Sequence, residues 1–203
     1  MIHIFQEHVY RIEDFLRAGG IVMIPLLMVS ILMWALIINR AFFFRRLYRK
    51  NMSRNMAGEH VRNNELPDPH RYKGAITLLV TEFLKRRSGN SRIDSYILDE
   101  TVVSLVSSLD KYLAAIGILA TVAPLLGLLG TVIGMIMTFD IISIFGTGNA
   151  KAMAGGISQA LITTQTGLLV AIPGLYLRGF LAGRAQNLKH RISSVGIYLK
   201  RYV

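Results

Sequence analysis

Two stretches, APLLGLLGTVIGMIMTF from Ala123 and GGISQALITTQTGLLVAIPGLY from Gly155, are apolar enough for lipid yet carry glycine and threonine at helical spacing. In a bilayer core every backbone polar group must be satisfied internally, so such stretches fold as helices. Glycine and threonine inside them serve close helix packing, a polar path, or both. A third stretch, residues 21–44, is as apolar and holds Pro25 in its first turns. The spans these stretches belong to, from about Tyr112 to Phe139, Ala154 to Leu177 and Ile21 to Phe44, each exceed the roughly 20 residues that cross about 30 Å of hydrocarbon, so tilt or extension beyond the bilayer is expected.

With 52% hydrophobic and 17% charged residues in 203, the chain is too apolar for a soluble domain and too long for a single anchor. The expected fold class is an all-α integral membrane protein. It has three transmembrane helices with long cytoplasmic helical extensions, the N-terminus outside and the C-terminus cytoplasmic. The first stretch is expected to stay as an anchor, because neither a basic n-region nor a small-residue cleavage site accompanies it. Orientation follows the cations. Residues 45–111 carry 13 of the 23 Lys and Arg and the tail from Arg178 carries 6, whereas the other side has only Arg11, Arg17 and Lys151. The positive-inside rule turns that bias into a topology. Residues 1–20 form an amphipathic segment on the outer (periplasmic) side, 21–44 the first span, and 45–111 a cytoplasmic helical region. Residues 112–139 form the second span, 140–153 a periplasmic loop, 154–178 the third span, and 179–203 a cytoplasmic C-terminal helix. Flanking cations and anionic membrane lipid account for the net charge of +11, so nucleic acid is not an expected partner.

Outside the spans the pattern is again helical. Phe5, Val9, Ile12 and Leu16 stripe one face of a segment that breaks at Gly19 and Gly20, which suits a helix lying on the outer membrane surface or packed on the protein. NNELPDPH at 63–70 reads as a loop, and Ile76, Leu79, Val80, Phe83 and Leu84 stripe a helix after it. From Ser91 the apolar pattern runs into the second span without a breaker, which predicts one helix of more than 40 residues. Leu188, Ile192, Val195 and Leu199 extend the third span inward as an amphipathic helix.

In the second span Gly117, Ala120, Pro124, Gly127, Thr131, Gly134 and Thr138 step by three and four along one seam, with Gly130 beside them. In the third, Gly156, Ala160, Thr163, Gly167, Ala171 and Gly174 form a similar face, and Pro173 lies within it. The expected helix-packing residues are Gly127, Gly130, Gly134, Gly156, Gly167, Pro124 and Pro173. Overlapping the second face, Gln159, Thr163 and Thr166 form a polar stripe with Thr164 and Gln165 beside it. An intramembrane hydrogen bond returns only about 0.6 to 2 kcal/mol, so this many polar side chains is a poor choice for packing alone. Thr131, Thr164, Gln159, Thr163 and Thr166 are therefore the candidate ion-path residues. Between Lys111 and Arg178 the only acidic or basic side chains are Asp140 and Lys151 at the outer loop, so any carboxylate in the path must come from a partner. The chain has no cysteine, and its five histidines are too scattered to share a helical face, so neither a metal nor a cofactor is expected. No nucleophile with a base, phosphate loop or paired carboxylate points to an enzyme.

The run APLLGLLGTVIGM, followed about 20 residues later by GISQALITTQTGLLVAIP, resembles the ExbB/TolQ/MotA family of ion-channel motor subunits. Three spans with a large connection between the first and second resemble the ExbB/TolQ branch, since MotA-like stators have four. The resemblance implies a homopentamer in the bacterial inner membrane. Its second and third spans would enclose two ExbD/TolR-like single-span subunits, with room for a TonB-like or TolA-like protein beyond. A membrane-embedded Asp of the partner would carry the ion past threonines of the pentamer, at positions matching Thr131 and Thr164. The implied function is proton-driven energy transduction to a periplasmic or outer-membrane partner. A sodium-driven motor of the same family and a passive scaffold for a single-span partner are the alternatives. Where members of the family read GIAEAL, this chain reads GISQAL, so Gln159 stands where a glutamate would titrate.

Overall fold

The computed structural model describes residues 14–49, 51–68 and 72–203. Among these, helices are the regular structure: α1 (Met23–Tyr48), α2 (Arg54–Asn63), α3 (Ala75–Arg86), α4 (Ser91–Asp110), α5 (Leu113–Phe145) and α6 (Ala150–Leu199). Among the described residues three helices are long and apolar enough to cross a membrane: α1, one within Ser91–Gly148, and one within Ala150–Tyr202. The protein is thus an all-α membrane protein whose spans continue into long helical extensions. Phe5, Val9 and Ile12 of the expected N-terminal stripe lie outside the described residues. Residues 14–18 are helical, and the turn that follows has Gly20 at φ +69°, a left-handed conformation open to glycine.

The chain packs as two units. The first takes in the described residues up to Ile37 together with Ala115–Arg178. Here α1 buries Met23, Leu26, Met33 and Ile37 along one face and exposes Ile24, Met28 and Ile31 on the other. Against that face, a Cβ on Gly174 would fall 2.8 Å from Met33 Cε and 3.1 Å from Ala120 Cβ, so all three apolar helices meet at this glycine.

The second unit takes in Ile38–Ala114 and Gly179–Val203. Its core is Phe44, Leu47, Met52, Val61, Ile76, Leu79, Phe83, Leu98 and Leu109, with Leu188, Ile192 and Leu199 from the end of α6. Its helix ends are capped locally. Ser53 Oγ accepts from Met56 N–H at 3.3 Å, Asn64 closes α2 at φ 55°, and Asn51 Oδ1 accepts from Ile76 N–H at 3.2 Å at the start of α3. The buried Asp94 ties the α3–α4 turn together, accepting from Ser88 N–H (2.6 Å), Ser88 Oγ (2.9 Å), Gly89 N–H (3.1 Å) and Arg87 Nε (3.3 Å). Lys189–Asp110 and Lys200–Asp99, each 2.6 Å, are about three turns apart on either helix in opposite senses. The end of α6 therefore runs antiparallel to α4.

The expected unbroken helix from Ser91 into the second span is interrupted. Asp110 ends α4, Tyr112 takes φ +67°, and α5 begins at Leu113. Hydrophobic periodicity passes through this point because the break costs only one left-handed residue, about 1 kcal/mol or somewhat more. The carbonyls it frees find a donor far away in sequence. The guanidinium of Arg40, buried near the end of the first span, donates to Ser108 O at 3.0 Å and Leu109 O at 2.5 Å. Its plane also lies 4.4 Å from the Phe43 ring centroid.

Candidate ion path

The hairpin of α5 and α6 is joined by the short turn Gly146–Gly148. Its two helices approach through residues that have little or no side chain. A Cβ on Gly127 would fall 3.0 Å from Thr163 O and 3.5 Å from Gly167 Cα; one on Gly167 would fall 2.8 Å from Ala123 O. On Gly134 it would meet Gly156 O at 2.6 Å and Ala160 Cβ at 2.9 Å, and on Gly130 it would land on the Thr163 side chain. Gly156 is bounded in turn by Gly134 O at 2.7 Å and by the Thr138 hydroxyl. Pro124 and Pro173 are half-buried inside helices that run on through them. In α6 all six small residues named from the sequence are buried. In α5 the buried line is Ala120, Ala123, Gly127, Gly130, Gly134 and Thr138, which leaves Pro124 and Thr131 at its edge.

The hydroxyls are satisfied first by their own helices, as they must be where no water replaces a lost bond. Thr131 Oγ1 donates to Leu128 O at 2.6 Å, Thr166 to Ile162 O at 2.7 Å, and Thr163 to Gln159 O and Ala160 O at 3.0 Å each. Thr164 differs. Its hydroxyl lies 3.1 Å from Ala160 O and 3.4 Å from Gly127 O, so it bridges the two helices. Gly127 and Thr131 are neighbours one turn apart on α5, which brings Thr131 and Thr164 to the same side of the hairpin. Both are half-exposed. A threonine whose proton is engaged by a carbonyl keeps its lone pairs as acceptors, so this pair can receive a hydrogen bond from a protonated acid.

The rest of the sequence-derived set is placed elsewhere. Thr163, at 0% exposure, and Thr166, at 7%, are enclosed by the chain itself. Gln159 is turned toward the start of the first span, where a Cβ on Gly20 would fall 2.8 Å from its Cδ. Two polar side chains outside the set are also notable. Gln165 is exposed in a row with Leu161, Leu168 and Ile172, and Thr121 is exposed on α5 with its hydroxyl 2.9 Å from Ile118 O. In the sequence Gln165 stands beside the polar stripe, without a sign of which way it faces. Thr121 gave no signal, because a lone threonine in a span is ordinary. Asp140 and Lys151 are exposed toward the turn that joins the helices.

Comparison with known proteins identifies the family. The MotA/TolQ/ExbB proton channel family matches residues 71–194, which include α5, most of α6 and both threonines of the pair. An ExbB-like biopolymer transport protein of Synechocystis sp. is 34% identical over 191 residues, covering 80% of this chain and 85% of that protein. The biopolymer transport protein ExbB of Aquifex aeolicus is 35% identical over 113 residues, covering 56% of this chain and 73% of its own length. ExbB of Neisseria meningitidis serogroup A is 26% identical over 179 residues, 79% of this chain and 80% of that protein. Three membrane-crossing helices, a glycine-lined hairpin with a half-exposed threonine pair, and a match over more than half of its length establish that the chain belongs to the MotA/TolQ/ExbB proton channel family.

Proposed function

We propose that this chain is the channel subunit of an inner-membrane motor of the ExbB/TolQ type. It works as a homopentamer around the single-span helices of two ExbD/TolR-like subunits. Proton flow down the membrane gradient is coupled to work on a TonB-like or TolA-like partner. The relatives described as biopolymer transport proteins support this reading. So does the cation distribution, which favours an outer N-terminus, cytoplasmic segments at 45–111 and 179–203, and a periplasmic turn within 140–153.

The observation that carries the proposal is the Thr131–Thr164 pair in a hairpin with no acidic or basic side chain from Tyr112 to Phe139 or from Ala152 to Leu177. A protonated partner carboxyl donates to these hydroxyl oxygens, releases its ion beside them and turns away. Thr163 and Thr166 shape the wall behind the pair, while Gln159 lines the side toward the first span. Each charge moving down the potential releases about 2.3 kcal/mol per 100 mV, so a few ions per cycle suffice for mechanical work. Thr→Val keeps the side-chain shape and removes only the oxygen. Thr131→Val and Thr164→Val are each expected to abolish gradient-driven work while native mass spectrometry still finds five copies. If both assemble and work normally, the chain is a passive scaffold. Replacing external Na⁺ by K⁺ at constant proton gradient is expected to leave activity intact, and a sodium requirement would reassign the ion.

A further inference from the structure

At the C-terminal end of α1, Phe42, Arg45, Arg46, Arg49 and Lys73 line a hollow of about 410 Å³. The positive-inside rule explains why cations gather near this end of the span. It does not explain why Lys73, from the segment ahead of α3, shares one hollow with three arginines. Elsewhere in this unit five cations are paired one to one: Lys85 with Glu82, Arg86 with Glu100, Arg87 with Asp94, Lys189 with Asp110 and Lys200 with Asp99; others, such as Arg92, stand singly on the surface rather than grouped around one space. Among the described residues none of the four cations of the hollow has an ion pair. Four like charges around one space are mutually unfavourable unless an anion completes it.

The helix face leading to the hollow indicates what that anion is attached to. Ile38 and Phe42 are 50% and 64% exposed, and Arg45 and Arg49 continue the same line at helical spacing. Earlier on that face lie the exposed Ile24, Met28 and Ile31. From Ile24 to Phe42 the apolar run is about 27 Å at 1.5 Å per residue, close to the thickness of the hydrocarbon core. The switch from apolar to cationic therefore falls where lipid phosphates lie. We propose that Arg45, Arg46, Arg49 and Lys73 form a binding site for the headgroup of an anionic phospholipid, with its acyl chain lying along Phe42 and Ile38. Arginine and lysine suit a phosphodiester because they combine charge with several donors, and a zwitterionic headgroup brings its own cation into the same space.

Trp34 is the chain's single tryptophan, on α1 about 16 Å from Arg45 along the helix, within reach of an acyl chain anchored at the hollow. The full-length protein is reconstituted in phosphatidylcholine vesicles containing a small fraction of lipid brominated on the acyl chain, either phosphatidylglycerol or phosphatidylcholine. The expected result is stronger quenching of Trp34 by the brominated phosphatidylglycerol, reflecting about three-fold or greater preference. Combined Arg45→Gln, Arg49→Gln and Lys73→Gln should bring that preference to one. Arg45→Lys with Arg49→Lys should retain most of it, and Arg92→Gln, an exposed cation that does not line the hollow, should leave it unchanged. Equal quenching by both lipids in the unmodified protein, or an undiminished preference in the triple variant, overturns the site. Loss of the preference when about 10 mM inorganic phosphate is added, but not when chloride is added to equal ionic strength, overturns the lipid assignment in favour of soluble phosphate.

Discussion

Placing a methyl group on Gly134 tests whether the α5–α6 hairpin is held by direct backbone contact. The added Cβ would lie 2.6 Å from Gly156 O, 2.9 Å from Ala160 Cβ and 2.9 Å from Ala160 N. Carbon contacts settle near 3.5 to 4.0 Å, so the shortfall is close to 1 Å. None of these three atoms is the tip of a flexible side chain, so no rotamer change relieves the clash and the helices must separate. A gap of that size forfeits roughly a quarter to a half of the dispersion energy along the seam, and overpacking of this kind costs about 1 to 3 kcal/mol. Replacing glycine by alanine in a helix returns about 1 kcal/mol, leaving Gly134→Ala with a net loss of up to about 2 kcal/mol and about 1 to 3 kcal/mol less stable than an unhindered glycine-to-alanine change. Gly155 supplies the control, since a Cβ there meets nothing within 4 Å, and Gly155→Ala should be neutral or stabilising by up to about 1 kcal/mol. Titrating detergent-solubilised protein with SDS and following helicity by circular dichroism gives both values from the shift in midpoint. If Gly134→Ala is as stable as Gly155→Ala, the close approach does not hold the hairpin and the reasoning fails.

Two further changes probe the second unit. Arg40→Met leaves Ser108 O and Leu109 O without their charged donor, and should destabilise the protein by about 2 to 4 kcal/mol. Hydrogen exchange in the last turn of α4 should accelerate in this variant, and unchanged protection there would show that the guanidinium is not what closes the helix. Burial by itself pushes the Asp94 carboxyl up, but the N–H groups of Ser88 and Gly89, the Ser88 hydroxyl and the Arg87 guanidinium outweigh it and hold the group below the usual carboxylate range. Because the folded-state pKa is the lower one, the stabilisation is present above the unfolded value near 4 and is lost as pH falls through the folded value. Asp94→Asn should therefore lower the unfolding temperature at pH 7 and flatten its decline below about pH 4. A variant that matches the unmodified protein at pH 7 would refute this account.

The hairpin was legible in the sequence because small residues at steps of three and four leave few alternatives, and on α6 Gly156, Ala160, Thr163, Gly167, Ala171 and Gly174 are indeed buried. On α5 the choice between Pro124 with Thr131 and Ala123 with Gly130 was not legible, since both lines are small and one residue apart. The partner decides it: the Thr163 side chain occupies the space over Gly130 and leaves Thr131 at the rim. Periodicity likewise shows that Gln159 has a face but not which neighbour covers it, and the turn at Gly20 does so. The interruption at Tyr112 was hidden for a related reason, because the group that satisfies the freed carbonyls is Arg40, 68 and 69 residues away.

That separation sets an order of events while the chain is being made. The carbonyls that receive Arg40 are synthesised 68 and 69 residues after it. At about 5 to 20 residues per second they emerge roughly 3 to 14 s later. During that interval the first helix holds a cation whose acceptors do not yet exist, near the end of an otherwise apolar segment, where it can reach the lipid headgroups by extending its side chain. Its insertion is provisional: Arg40 must exchange a wet position for a buried one once α4 is complete. Truncated chains that stop before Ser108 are accordingly expected to leave Arg40 accessible to an aqueous guanidinium-modifying reagent, and longer ones to protect it.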